Sequence, residues 1–80
     1  MDFRTMELDY IGRVIYESIR LFGRAKVNGA KFRATLTLYK DNDGVAERMT
    51  YAPATLSAYD MRKMITDARF ELSQAGKNGP

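Results

Sequence analysis

Eighty residues with thirteen Lys and Arg, ten Asp and Glu, a net charge of +3 and neither Cys nor His exclude a disulfide framework, a thiolate metal site and a Cys nucleophile, and remove the commonest general base and metal ligand. No apolar run approaches the roughly 20 residues that span a bilayer, and no charged-then-apolar leader pattern opens the chain. The expectation is one thin-cored domain over residues 1–76 with a frayed tail at 77–80, cytoplasmic, with no membrane association, no cofactor and no metal.

Thr5 to Phe22 reads as an amphipathic helix, because Leu8, Ile11, Val14, Ile15, Ile19 and Phe22 recur at three- and four-residue spacing. Thr5 is the expected N-cap and Gly23 the expected C-terminal stop. Gly12 sits inside this helix at a cost of about 1 kcal/mol relative to Ala. The period then changes to two. Phe32, Ala34, Leu36 and Leu38 alternate with Lys31, Arg33, Thr35, Thr37 and Tyr39, the pattern of a half-buried strand. Just before it, Asn28-Gly29 is a strong two-residue hairpin signal, so a short strand Arg24–Val27 is expected to fold back on Ala30–Arg33.

Asp41-Asn42-Asp43-Gly44 predicts a second turn. A calcium loop aligned on Gly44 would need carboxylates where Tyr39 and Thr50 stand. Val45 to Ala52 follows as a third strand, ended by Pro53. The last element is a helix from about Ser57 to Ala75. Ser57 with Asp60 approximates a capping box, Ala58, Met61, Met64, Ile65, Ala68 and Leu72 form the apolar face, and Gly76 is the expected stop. The predicted fold class is α+β: a two-layer α-β-β-β-α arrangement in which a three-stranded antiparallel sheet carries two helices on one face.

Residues 23–40 contain Arg24, Lys26, Lys31, Arg33 and Lys40 with no acid, a net +5 against −2 for the rest of the chain. A two-residue Asn28-Gly29 loop would pair Val27 with Ala30, Lys26 with Lys31, Ala25 with Phe32 and Arg24 with Arg33. Paired residues share a face. Ala25, Val27, Ala30 and Phe32 are therefore expected in the core, and Arg24, Lys26, Lys31 and Arg33 on the solvent face. Pairing Lys40 with Val45 turns Val45, Met49 and Tyr51 inward, adds Arg48 to the basic face and leaves Glu47 inward as a misfit. A bulged turn would invert these faces and expose Met49 and Tyr51; the first register is favoured because it buries more apolar surface. Arg24, Lys26, Lys31, Arg33 and Arg48 are thus the candidate partner-binding face, suited to a protein partner with an acidic or nucleic-acid-handling surface, or to nucleic acid itself.

A second candidate lies on the outer face of the last helix. Tyr59, Lys63 and Phe70 stand opposite its apolar stripe, and exposed aromatics suit a partner contact or a homodimer contact. Tyr10 and Tyr16 flank the first helix as further contacts of this kind. No catalytic constellation appears: without His no base accompanies a nucleophilic Ser or Thr, and no Gly-rich phosphate loop occurs. The expectation is a protein that is not an enzyme.

The α-β-β-β-α order, with the Phe32-Arg33-Ala34-Thr35-Leu36 alternation in its second strand, resembles double-stranded RNA-binding domains. That resemblance implies RNA contacts from the first helix, the first β-loop and a Lys-rich start of the second helix. Here the loop is a minimal Asn28-Gly29 and the last helix begins Ser57-Ala58-Tyr59-Asp60 without Lys, so no binding residue carries over. A small chain starting at Met1 and lacking catalytic groups is also similar in style to phage-encoded accessory proteins that bind and block a host complex, anti-CRISPR proteins among them. The expected function is a non-catalytic protein-binding domain, an inhibitor of a nucleic-acid-handling complex being its concrete form. The alternative is direct, sequence-nonspecific DNA or RNA binding.

Overall fold

The computed structural model describes residues 3–30 and 33–77. Helix α1 spans Phe3–Phe22, strands β1, β2 and β3 span Lys26–Asn28, Thr35–Asn42 and Val45–Tyr51, and helix α2 spans Ala58–Lys77. The strands form one antiparallel sheet in the order β1-β2-β3. Helix α1 packs on β2 and on α2, and α2 packs on β1. The expected α+β class is what the chain adopts.

Helix α1 follows its apolar period, with Ile11 and Ile15 fully buried and Leu8, Val14, Ile19 and Phe22 half-buried. It begins ahead of Thr5, which is therefore not its cap. Gly23 ends it at φ +70°, its N–H bonding the Ile19 carbonyl at 2.9 Å, a left-handed conformation that glycine adopts without a Cβ penalty. Helix α2 is capped by Ser57. Its Oγ accepts the Asp60 N–H at 3.1 Å while its hydroxyl donates to Asp60 Oδ2 at 2.9 Å. The helix runs through Gly76 to Lys77, so Gly76 does not stop it. Ile11, Ile15, Leu36, Leu38 and Met61 are fully buried and share one core with Ala25, Ala34, Ala58, Ile65 and Ala68. Burying a large side chain of this class stabilises the fold by about 1.5–3 kcal/mol.

The β1–β2 register departs from the expectation. Val27 pairs with Leu36, Lys26 with Thr37 and Asn28 with Thr35, so residues 29–34 form the connection rather than Asn28-Gly29 alone. The slip along β2 keeps the alternation, and Val27 and Leu36 still share the helix-facing side. Two physical reasons favour it. It sets β1 beside the stretch of β2 that also pairs with β3 and lies under the helices, with Leu36 fully buried. It also removes Lys26 from opposite Lys31 and Arg24 from opposite Arg33, like-charge pairs that destabilise a sheet. Ala30 is consequently exposed instead of joining the core. Arg33 is exposed in the connection, its N–H bonding the Ala30 carbonyl at 3.2 Å. Lys31 and Phe32 lie outside the described residues.

The β2–β3 hairpin is tighter than expected. Asn42 pairs with Val45 across Asp43 at φ +53° and Gly44 at φ +84°, and Asp41 Oδ1 accepts the Gly44 N–H at 2.9 Å. Lys40 therefore opposes Glu47 rather than Val45, and Leu38 opposes Met49. The faces stay as expected, with Met49 and Tyr51 half-buried on the helix side. Glu47 is no misfit, because its Oε1 accepts from Asn42 Nδ2 at 2.8 Å. Val45 shares that side yet is 65% exposed, since α1 and α2 sit over β2 and β1 and leave the turn end of β3 uncovered.

A buried hydroxyl ties the helix layer to the sheet. Ser18, fully buried on α1, donates to the Tyr39 carbonyl at 2.7 Å and accepts the Tyr39 N–H at 3.0 Å. Tyr39 lies past the end of β1, so Ser18 supplies the partners that a longer β1 would have offered. Among the described residues no buried side-chain nitrogen or oxygen lacks a partner, and no helix is long and apolar enough to cross a membrane.

Candidate docking surface

Alternation along the strands sends Lys26, Thr37, Tyr39, Asp41, Arg48 and Thr50 to the sheet face away from the helices, with Asp41 at the turn end, where its carboxylate accepts the Gly44 N–H. Arg24, just ahead of β1, holds its guanidinium 4.6 Å from the centroid of the Tyr39 ring, a cation–π contact. Arg48 stands opposite Tyr39 on β3. Arg24, Tyr39 and Arg48 thus form one row across the sheet, and Lys26, Thr37 and Thr50 form the next. Arg24, Lys26 and Arg48 are all exposed. Tyr39 is half-buried under Arg24 and packs on Phe22 at 6.5 Å between centroids, which removes its ring face from use as a stacking platform. Thr37 is buried and accepts from Asn28 Nδ2 at 3.4 Å. Arg33 is not part of this array; it is carried on the 29–34 connection.

Lys26 carries the charge around the sheet edge. It lines a shallow cleft of about 300 Å³ between β1 and α2, together with Arg62, Thr66 and Arg69 above Ala25, Val27 and Ile65. That cleft holds cations and no acid. Arg62 and Arg69 are absent from the sequence-derived face. Their signal is the i, i+4, i+7 spacing of Arg62, Thr66 and Arg69 along one flank of the apolar stripe. Counting charge by segment hides them, because α2 also carries Asp60, Asp67 and Glu71.

Beyond Thr66 on the helix surface come Tyr59 and Phe70, 71% and 62% exposed. Residues 59, 66 and 70 are spaced i, i+7, i+11 and fall within about 40° of one another on the helix wheel. The two surfaces expected from sequence are therefore joined at α2 through Arg62, Thr66 and Arg69. Lys63 lies on the other side of the rings from Thr66, about 20° from Phe70 on the same wheel; it is exposed and also lines a groove between α1 and α2 beside Asp60 and Asp67.

The remaining polar groups are occupied locally. Glu17 pairs with Arg20 at 2.7 Å on the surface of α1, and the Arg20 guanidinium holds the Glu17 carboxyl below its ordinary value. Tyr51 donates to the Tyr10 hydroxyl at 3.5 Å with the rings edge-on; that bond, with burial second, pushes the Tyr51 phenol up to about 12. Among the described residues no three His, Cys, Asp or Glu converge in a metal-binding arrangement. No protein family, curated protein or solved structure matches this chain.

Proposed function

We propose that this chain is a non-catalytic, cytoplasmic binding module that docks on an acidic surface of a protein partner. The observation that carries the reading is continuity. Cations run from Arg24 and Arg48 through Lys26 to Arg62 and Arg69, and the exposed rings of Tyr59 and Phe70 lie beside them. Arginine and aromatic side chains dominate interface energetics, and a surface on which five cations outnumber the single acid Asp41 at the turn end steers encounter with an acidic partner. An inhibitor seated on an acidic face of a nucleic-acid-handling complex is the concrete form of this reading. Direct nucleic-acid binding through the same surface is the second reading. Thr50 beside the cations supports it, since hydroxyls and guanidiniums are common phosphate contacts. The position of Tyr39 beneath Arg24 speaks against base stacking.

The test is binding to duplex DNA, duplex RNA and single strands at about 50 and about 200 mM salt. The expected result is no binding at the lower salt. An immobilised chain should instead retain a protein that Lys26→Glu with Arg62→Glu releases, and that Tyr59→Ala with Phe70→Ala releases as well. Micromolar nucleic-acid affinity that falls steeply with salt, is lost on charge reversal and survives removal of both rings assigns the surface to nucleic acid instead.

A further inference from the structure

On the far flank of α2 the chemistry reverses. An open groove of about 890 Å³ runs between α1 and α2. Its floor includes Leu8, Tyr16, Leu56 and Met64, all half-buried. Asp9 and Glu17 stand on the α1 rim, and Asp60, Asp67 and Glu71 on the α2 rim, against Arg13 and Lys63 as the groove's cations. The α2 acids are spaced i, i+7, i+11 and form one stripe. Glu17 is taken up by Arg20, and Asp60 by the Ser57 hydroxyl. Asp9, Asp67 and Glu71 have no hydrogen-bond or ion-pair partner among the described residues. A chain of net charge +3 thus places five of its ten acids around an apolar trough.

Gly12 supplies an independent observation. It lies midway along the α1 side of the trough and costs the helix about 1 kcal/mol relative to Ala. Its backbone has no positive φ to require glycine. Packing does not require it either, since an added Cβ would meet Met64 Cε at an ordinary 3.6 Å. What the missing side chain does is lower the floor and let another chain approach the α1 backbone.

We propose that this groove takes a basic amphipathic helix of a partner protein, lying as a third helix across α1 and α2. The trough extends from Leu8 to Glu17 on one side and from Asp60 to Glu71 on the other, about 14–16 Å, or three helical turns. Its walls are helices whose own backbone groups are already bonded, so recognition is by side chains in ridge-and-groove packing. Apolar residues at i, i+3 or i+4 and i+7 of the incoming helix fill the trough over Gly12. Its Lys and Arg reach Asp9 on one rim and Asp67 and Glu71 on the other. This surface is separate from the basic one and does not rest on it.

The test uses a fluorescein-labelled Leu/Lys peptide of about 14 residues with Leu at helical spacing. Controls are a permuted peptide of the same composition and a Leu/Glu counterpart. Anisotropy should show binding of the Leu/Lys helix alone, with amide NMR shifts concentrated at residues 8–17 and 60–71. Gly12→Leu should fill the trough and weaken binding by about tenfold or more, with circular dichroism confirming the fold. Asp67→Lys with Glu71→Lys, at exposed positions of α2, should do the same by charge. Equal binding of the permuted or acidic peptide, shifts centred on the sheet, or undiminished affinity in both variants overturns the proposal. So does concentration-dependent self-association that Gly12→Leu abolishes, which would assign the groove to a second copy of the chain.

Discussion

The β2–β3 hairpin and the β1–β2 connection each carry a turn dipeptide, Asp43-Gly44 and Asn28-Gly29, and they use it differently. Around the first, both turn residues take positive φ and the strands pair immediately outside them, Asn42 with Val45 and Lys40 with Glu47. Around the second, Gly29 is at φ +95° but Asn28 stays extended as the last residue of β1, and pairing resumes only at Thr35. Positive φ is available to both dipeptides. The difference lies in what a tight turn would bring together: Lys40 meets Glu47 in one hairpin, whereas Lys26 would meet Lys31 in the other. A turn signal closes a hairpin when the flanking pairs are favourable and yields to tertiary packing when they are not.

Three substitutions test that contrast, from the largest expected effect to the smallest. At Gly29 an added Cβ would stand 2.6 Å from the Arg33 carbonyl oxygen, on a backbone at φ +95°. Gly29→Ala should cost about 2–3 kcal/mol and lower the melting temperature by roughly 10 °C or more. An unchanged melt would mean that the 29–34 connection is not this tightly folded. Ser18→Ala removes both partners of the Tyr39 backbone where β1 has ended. A loss of about 1–3 kcal/mol is expected, with faster hydrogen exchange at the Tyr39 amide; exchange as slow as in the unaltered chain would show that another group serves Tyr39. At Gly44 φ is +84° but nothing lies within 4 Å of an added Cβ. Gly44→Ala should therefore cost only about 1 kcal/mol, the left-handed backbone penalty. A larger loss at Gly44 than at Gly29 would reverse the contrast.

Much of the architecture is legible in the residues themselves. Ile11, Ile15, Met61 and Ile65 mark helices by period, Leu36 and Leu38 mark a strand by alternation, and Ser57 and Gly23 mark helix ends by capping chemistry. Ser18 is not legible, because a small hydroxyl on an apolar face looks like a neutral filler until the strand end it serves is in place. The docking surface divides similarly. Arg24, Lys26 and Arg48 reach one sheet face because strand parity survives a register slip by an even number of residues. Arg62 and Arg69 join them only because α2 packs along β1, a neighbour relation that no window of sequence contains.

By itself, the sequence determined the element types, the inward and outward faces of each element, and the absence of Cys and His chemistry. Those properties depend on local period and side-chain identity. Tertiary structure alone decided which stretch of β2 receives β1, and so removed Arg33 from the sheet; it also left the turn end of β3 uncovered. It also decided that α2 presents cations and rings on one flank and acids on the other. The physical reason is that register and helix packing are set by pairwise burial and charge between segments distant in sequence. Behind a modest +3 stand two surfaces of opposite charge that the fold holds apart.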